Sequence, residues 1–319
     1  MRHLSRQKPM TTSNDQVGLE GALLSFIERT VSTSELNRLP PEYGGESYIA
    51  EPLVGIATGD DPMFKEYKKL ISPDYITPPE LWRFAGYQDR PGTTSQLRVI
   101  SVTFPFSKRI RAENARVTDF PTEAYSLARN YANALILNTM KEMVIFLEKR
   151  GFQGVVGELA EQYNITIKDV MFSNWSERHI AYAAGLGTFS LHEALITEAG
   201  CNVRFGSVVT NAPLPVTERK YDKPYANCLH YANGTCDRCI ARCPAGAITK
   251  DGHDKFKCWM YGQKVERYMR KRIGKLLKPH YRRLNGIYSQ SQPPVGCALC
   301  QFGVPCTDMN PARKLNPAP

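Results

Sequence analysis

The chain has 319 residues, a formal net charge of +10, 42% hydrophobic residues and nine cysteines. This length allows one large or two modest domains with hydrophobic cores, which excludes a miniprotein held together by disulfides. No stretch approaches the roughly 18 continuous apolar residues of a membrane span, and the basic start MRHLSRQKPM is followed by polar residues instead of the apolar run of a signal peptide. We therefore expect a cytoplasmic protein that does not engage a membrane.

The first hundred residues contain few clear signals. LEGALLSFIERTV is typical of a short helix, and LPPEYGG is typical of a loop. The β-branched and aromatic segment LRVISVTFPF, residues 97–106, predicts a buried strand. We expect residues 1–90 to form an N-terminal cap region ahead of this strand.

A long helix is predicted within FPTEAYSLARNYANALILNTMKEMVIFLEKRG. Thr122 is a suitable N-cap, and Gly151 is a suitable stop. Four apolar positions repeat at helical spacing and should face the core: Ile136, Met140, Met143 and Leu147. We interpret the two methionines as packing residues and not as cofactor contacts, because methionine commonly fills gaps in cores.

The next segments predict one more helix and one more strand. HIAYAAGLGTFS is a helix that ends in a glycine-rich turn, and CNVRFGSVVTNAPLPV is a strand that runs into a proline-bounded linker near residues 212–224. The alternation of strands and helices indicates a layered α/β module over residues 91–215. Because the cysteine-rich residues 216–319 form a second module, the expected fold class is α+β.

The basic charge belongs to this second module. Residues 216–319 contain 19 Lys and Arg against 7 Asp and Glu, whereas the rest of the chain contains 22 against 24. The run KVERYMRKRIGKLLKPHYRR, residues 264–283, is either a solvated helix face, a docking surface for an acidic electron donor, or a contact for nucleic acid.

The cysteines are concentrated, with eight of nine between residues 228 and 306. A secreted disulfide framework would spread and pair them, so a reduced compartment and a metal fit better. The bacterial two-cluster ferredoxin run is C-x2-C-x2-C-x3-C-P. Its last three cysteines and its proline are reproduced by Cys236, Cys239, Cys243 and Pro244. Asn233 stands at the first position, so we expect Cys228 to replace the missing cysteine.

Each 4Fe-4S cluster of this kind has four thiolate ligands, and the fourth cysteine of the run ligates the other cluster. This crossing rule predicts one cluster on Cys228, Cys236, Cys239 and Cys306. It predicts the other cluster on Cys243, Cys258, Cys297 and Cys300. Cys201 is left over, and we expect it to be a buried hydrophobic residue.

Two structural zinc sites are the alternative for these cysteines. Cys236-x2-Cys239 and Cys297-x2-Cys300 also have the spacing of zinc ribbons. The x3 step and the Cys-Pro pair that follow Cys239 favour iron-sulfur clusters.

WSERHIAYAAGLGTFS and CNVRFGSVVTNAPL, followed by eight cysteines in this spacing, resemble the superfamily of cobalamin-dependent epoxyqueuosine reductases and reductive dehalogenases. The resemblance covers about residues 165–306. It implies a nitroreductase-like α/β module that holds cobalamin, followed by a ferredoxin-like module whose two clusters deliver single electrons. The implied function is reductive cleavage of a small or modified organic substrate, with electrons from a ferredoxin or flavodoxin.

The resemblance also implies a cofactor-binding set. Its members are Ser176, Arg178, Gly185, Gly187, Thr188, Phe189, Ser190 and Arg204. The two glycines would let the backbone approach a corrin edge closely, although an ordinary helix stop is the alternative for them. Arg204 is expected to meet a corrin propionamide or the substrate.

The chain departs from the family pattern at the proton donor. Epoxyqueuosine reductases use an aspartate as proton donor, and that aspartate aligns with Met171 in this chain. Asp169, two residues away, is a catalytic candidate only if its loop shifts. Glu177 is the second catalytic candidate, with a structural ion pair to Arg178 as the alternative. The Gly-Lys-Asn sequence that is usual in the family is replaced in this chain by Ser190, Leu191 and His192.

Other features leave the substrate open. Reductive dehalogenases use a tyrosine as proton donor, and four tyrosines are candidates here: Tyr125, Tyr131, Tyr163 and Tyr182. The chain ends soon after Cys306, without the C-terminal repeat segment that some epoxyqueuosine reductases use around tRNA, so tRNA is an alternative that we do not favour. Four histidines lack ligand spacing and are expected to be structural: His179, His192, His230 and His253.

Two further functions stay open at this point. The chain could be an electron-transfer iron-sulfur protein that serves a partner enzyme, with flavin or no cofactor in its upstream module. RNA binding through residues 264–283 is the third hypothesis.

Overall fold

The computed structural model describes residues 13–88, 96–291, 295–313 and 315. Within these ranges the helices are α1 (Ser13–Ser32), α2 (Pro62–Leu70), α3 (Pro78–Phe84), α4 (Lys108–Ala115), α5 (Glu123–Glu148), α6 (Glu177–Ala183), α7 (Leu229–Asn233), α8 (Arg238–Arg242) and α9 (Lys255–Ile273). The strands are β1 (Leu53–Thr58), β2 (Arg98–Pro105), β3 (Gly154–Val156), β4 (Ile165–Ile167), β5 (Met171–Ser173), β6 (Gly187–Phe189), β7 (Leu195–Thr197), β8 (Val203–Thr210), β9 (Ile248–Thr249), β10 (Gly252–His253), β11 (His280–Leu284) and β12 (Ile287–Ser291).

The central sheet has four strands in the order β1-β2-β8-β3, and every neighbouring pair is antiparallel. Strand β2 is almost entirely buried because it lies between β1 and β8, which explains its run of β-branched and aromatic residues. The strand predicted over residues 97–106 and the α+β class are both confirmed.

Helix α5 packs on this sheet and matches the predicted long helix. Thr122 caps it by accepting a hydrogen bond from the Tyr125 amide at 3.2 Å, and Gly151 follows its end with a φ of +83°. The positions predicted to face the core are all at most 3% exposed: Ile136, Met140, Met143 and Leu147. Periodicity therefore predicted the buried face of α5 correctly.

The hydrophobic core extends beyond the expected α/β module. Phe26 of α1 stacks on Phe146 of α5 with ring centroids 4.6 Å apart. One face of α9 enters the same core through Val265, Met269 and Ile273. The sheet and core thus cross the boundaries expected near residues 90 and 215, and the three-part division of the chain stays a prediction.

A second sheet, in the order β12-β11-β4-β5, joins distant parts of the chain. Strands β11 and β4 run parallel, with Leu284 opposite Ile165. The Asn285 side chain accepts from the Ile167 amide at 2.9 Å and donates to its carbonyl at 3.2 Å. The β11–β12 hairpin, which lies between Cys258 and Cys297 in the sequence, therefore reaches across to the upstream module.

Helix α9 covers the first half of the basic run at residues 264–283. Its charged residues lie mainly on the exposed side, opposite the face that enters the core. None of the helices in the described ranges is both long and apolar enough to cross a membrane.

Candidate cluster and substrate site

Four cysteines predicted to share one cluster lie around one small pocket. They are Cys228, Cys236, Cys239 and Cys306. Cys228 immediately precedes α7, and Cys239 lies in α8. Cys306 lies within a turn that the Thr307 amide closes by donating to the Val304 carbonyl. Segments 78 residues apart in the sequence are thus brought to one place by two five-residue helices and a turn.

The thiols of this pocket are close enough to influence one another. Burial raises the pKa of Cys239 to about 12, and three neighbouring thiols contribute to the increase: Cys306, Cys228 and Cys236. Thiols packed together in this way resist ionisation because each charge repels the next. A bound metal centre reverses that preference, since coordinating thiols are deprotonated.

The remaining four predicted ligands form a second neighbourhood. Burial raises the pKa of Cys297 to about 12, with further contributions from Cys258 and Cys243. Burial also raises the pKa of Cys300, and the other three thiols of this set add to it. Cys239 of the first set is a further neighbour of Cys300, so the two sets lie side by side. Each set offers the four thiolates that a 4Fe-4S cluster needs.

The ninth cysteine lies next to the first set. Cys201 is 1% exposed, as expected, and its sulfur is 3.7 Å from that of Cys306. His192 Nε2 lies 3.6 Å from the Cys306 sulfur, and His192, Cys201 and Cys306 bring their ligand atoms within 4.8 Å of one another. The hydrogen bond from Cys201 holds the pKa of Cys306 below its usual value.

Two of the histidines expected to be structural line the cysteine pocket. They are His192 and His230. Neither histidine has the sequence spacing of a metal ligand. His192 lies near the cysteines because of the path of the β6–β7 hairpin, and His230 because of the path of α7. Only the three-dimensional fold identifies them.

Two arginines fix the cysteine loops to the upstream module. Arg111 of α4 is 6% exposed and donates to the carbonyls of Ala199, at 2.9 Å, and Thr307, at 3.4 Å. Arg242 of α8 donates to the Phe302 carbonyl at 3.0 Å and to the Val117 carbonyl at 2.8 Å. The segments next to Cys306, Cys243 and Cys300 are thereby held against α4 and the loop after it.

Upstream of the cysteines, Glu177 lies in the interior at the start of α6. Its Oε1 accepts from Trp175 Nε1 and from Ser207 Oγ, both at 3.0 Å. Its Oε2 is buried and has no hydrogen-bond partner among the described residues. Burial and the charge of Glu158 raise the pKa of Glu177 to about 8. This carboxyl group therefore holds a proton at neutral pH.

The expected ion pair between Glu177 and Arg178 is absent from the described part of the chain. The Arg178 guanidinium donates to the Glu193 carbonyl instead. Ser176, which precedes α6, shares a hydrogen bond with His179 Nδ1 at 2.7 Å. Ser176, Glu177 and Arg178 therefore have three different sets of hydrogen-bond partners.

The two catalytic candidates differ in their environment. Asp169 lies on the exposed turn between β4 and β5, whereas Glu177 is surrounded by the core. No hydrogen bond joins them within the described residues. Of the candidate tyrosines, Tyr163 has Glu158, Glu177 and Arg282 as its charged neighbours.

The two predicted glycines are explained by packing within the chain. A Cβ at Gly187 would overlap the Ile196 carbonyl oxygen in the β6–β7 hairpin. A Cβ at Gly185 would lie 2.9 Å from the Glu218 carbonyl oxygen, and the φ of +75° there also favours glycine. Packing within the chain alone accounts for both glycines, and their role in cofactor binding stays a prediction.

The rest of the predicted cofactor set makes contacts within the chain. Thr188 Oγ1 accepts from the Asn227 amide at 2.8 Å, and the Phe189 ring lies 4.8 Å from the His179 ring. Ser190 lines the cysteine pocket and donates to the Ala194 carbonyl at 2.8 Å. Arg204 donates to Asn133 Oδ1 at 2.9 Å. A role for these residues in cofactor binding stays a prediction.

No protein-family model matches this chain. The epoxyqueuosine reductase of Vibrio cholerae serotype O1 is 30% identical over 177 residues, which is 54% of this chain and 42% of that protein. The epoxyqueuosine reductase of Aliivibrio fischeri is 29% identical over 177 residues, or 54% of this chain and 41% of that protein. These matches confirm the predicted resemblance, with this chain as a divergent relative, and they span less than half of each relative.

Two solved structures align with this chain at TM-scores below 0.5. A selenomethionine-labelled epoxyqueuosine reductase aligns with a TM-score of 0.47 and 14% identity, covering 94% of this chain and 71% of that chain. A catabolic reductive dehalogenase aligns with a TM-score of 0.40 and 16% identity, covering 76% of this chain and 33% of that chain.

Proposed function

We propose that the chain is an oxidoreductase that holds two 4Fe-4S clusters and uses them to reduce an organic substrate at an interior site. The observation that carries the proposal is the grouping of eight cysteines into two adjacent sets of four. In a pair of independent zinc ribbons, each site would not need to combine cysteines from both cysteine runs, as each set does here. The curated relatives, which are reductases by name, support the same class of reaction.

We propose further that a corrinoid is the resident cofactor of the upstream module. When bound, it supplies a strongly reducing cobalt centre. Buried polar atoms without partners among the described residues support a polar ligand here, namely Glu177 Oε2, Arg129 Nε and Arg282 Nε. Arg178 would hold its amide groups, Arg204 would contact either the corrinoid or the substrate, and Glu177 would keep a proton at Oε2 for the reaction.

The proposed substrate is a small or modified organic molecule. Epoxyqueuosine in tRNA is not favoured, because Met171 stands at the expected aspartate position and Asp169 lies on an exposed turn. A ferredoxin or flavodoxin is the proposed electron donor, and the exposed basic side of α9 would suit an acidic partner of this kind.

Cobalamin binding tests the corrinoid part of this proposal. Protein purified without air and loaded with iron is titrated with cobalamin, and we expect tight binding with a change of the cobalt spectrum to the base-off form. If cobalamin does not bind while the iron content is complete, the corrinoid proposal is wrong. An electron-transfer protein without chemistry of its own would then explain the two clusters better.

A further inference from the structure

Three arginines from different elements surround the same interior region between the upstream module and the β11–β12 hairpin. Arg129 lies on α5, Arg204 on β8 and Arg282 on β11. Besides burial, the charge of Arg129 contributes to lowering the pKa of both Arg204 and Arg282. Besides burial, the charges of Arg282 and Arg204 likewise contribute to lowering the pKa of His280, so the three arginines are electrostatic neighbours. None of them forms an ion pair with a carboxylate in the part of the chain that the structure describes.

Hydrogen bonds from α5 hold this arrangement together. Asn133, one turn after Arg129, accepts from Arg204 Nη2 at 2.9 Å. Asn130 accepts from the Lys278 amide at 2.8 Å and donates to the Lys278 carbonyl at 3.1 Å, two residues before β11 begins. Helix α5 therefore fixes the strand that carries Arg204 and the segment that leads to Arg282.

The arginines keep hydrogen-bonding capacity that the described residues do not use. The Nε atoms of Arg129 and Arg282 are both buried without a partner. A Cβ at Gly296 would overlap the Arg129 guanidinium, so the backbone covers one side of that group. Buried donors on charged groups are costly when they are unpaired, and native proteins rarely leave several of them together.

The nearby acids do not balance this positive charge at neutral pH. Glu158 and Glu266 are the carboxyl groups whose charges act on these arginines, and Glu177 lies beside Glu158. Burial raises the pKa of all three, and Glu266 also forms an ion pair with Arg270. Because Glu177 holds a proton below about pH 8, the three arginines outnumber the ionised carboxylates. Burial and the charge of Arg129 lower the pKa of Arg204 to about 10, which still leaves it charged.

We propose that Arg129, Arg204 and Arg282 form a binding site for one anionic group, a carboxylate or a phosphate, on a ligand that enters this interior region. Guanidinium groups match the geometry of both anions through paired hydrogen bonds. The anion belongs either to the substrate or to the phosphodiester of the corrinoid's nucleotide loop. The inference deepens the proposed function and rests on it for the identity of the ligand.

The first test uses simple anions on the iron-loaded protein without corrinoid. Inorganic phosphate and benzoate are titrated by calorimetry, and we expect saturable binding that weakens as chloride is added. Arg204→Gln and Arg282→Gln should each weaken the affinity about tenfold or more, because a hydrogen bond to a charged group contributes roughly 1.5–3 kcal/mol. Arg283→Gln is the matched control, since Arg283 is the next residue on β11 and donates to the Gly286 carbonyl.

The second test separates the two sources of the anion. Cobalamin is compared with cobinamide, which lacks the nucleotide loop and its phosphodiester. If Arg282→Gln weakens the binding of cobalamin only, the site holds the corrinoid phosphodiester. If it weakens benzoate binding and leaves both corrinoids unaffected, the site holds a substrate carboxylate.

The proposal is overturned if neither phosphate nor benzoate binds saturably to protein with complete iron content. It is also overturned if Arg283→Gln weakens binding as much as Arg282→Gln. Anion binding without cobalamin binding would support the arginine site and contradict the corrinoid proposal. Cobalamin binding without anion binding would contradict the arginine site alone.

Discussion

The upstream core and the cysteine region obtain their order in different ways. The upstream core consists of a four-stranded sheet and the long helix α5, with large side chains such as Trp82, Trp175 and Phe104 at most 2% exposed. The cysteine region has the five-residue helices α7 and α8 and the two-residue strands β9 and β10. Helices this short are marginal without external support. Burial therefore orders the upstream core, whereas the anchoring arginines and, under the proposed function, the metal clusters order the cysteine region.

The largest expected effect follows from removing a cluster ligand. Cys239→Ala should lose about half of roughly eight iron atoms per chain, because one cluster would lack a ligand. The matched control is Cys201→Ala, which removes a buried thiol 3.7 Å from the Cys306 sulfur but no assigned ligand. Iron analysis and visible absorbance measure both variants. Full iron in Cys239→Ala, or a comparable loss in Cys201→Ala, would contradict the assignment.

A smaller effect is expected from the anchoring arginine Arg111. Arg111→Met should lower the free energy of unfolding by about 3 kcal/mol, because the carbonyls of Ala199 and Thr307 would lose a charged, buried donor. Arg109→Met on the same helix is the control. Its ion pairs with Glu46 and Glu113 are partly exposed, so a change of about 0.5 kcal/mol is expected. Equal losses in denaturant unfolding would show that Arg111 has no special anchoring role.

The glycine of the β6–β7 hairpin offers a test of packing within the upstream module. Gly187→Ala should destabilise the cofactor-free protein by roughly 2 kcal/mol, because the new Cβ would overlap the Ile196 carbonyl. Gly262→Ala in α9 is the control, since nothing lies within 4 Å of its Cβ position. That change should stabilise the protein by about 0.5–1 kcal/mol. If Gly187→Ala affects only cobalamin binding and not unfolding, then the interpretation that Gly187 lets the backbone approach a corrin edge is right.

The smallest expected effect is the pH dependence that Glu177 confers. Because its folded pKa of about 8 lies above the ordinary value of 4.5, its contribution to stability is complete below about pH 4.5 and is lost as the pH rises through 8. Glu177→Gln keeps a hydrogen-bond acceptor for Trp175 and Ser207 but has no carboxyl proton to lose. Between about pH 7 and pH 8, wild type should lose on the order of 1 kcal/mol relative to this variant. Parallel pH profiles of the unfolding midpoint would show that Glu177 is already ionised in the folded protein.

Local patterns predicted the parts of this molecule that depend on near neighbours in the sequence. Helix α5, its cap at Thr122 and the buried strand β2 follow from periodicity and side-chain type, and the grouping of cysteines follows from spacing. The β11–β12 hairpin was not predicted, because its pairing with β4 joins residues more than 100 positions apart. For the same reason, the sequence could not indicate that Arg282 lies near Arg204, or that His192 lies near Cys306.

The metal content of protein purified without air tests the central claim most directly. The account predicts about eight iron atoms and about eight sulfide ions per chain, with broad absorbance near 400 nm, because two 4Fe-4S clusters would occupy the two cysteine sets. A colourless protein that contains about two zinc ions per chain and no iron after anaerobic reconstitution would contradict it.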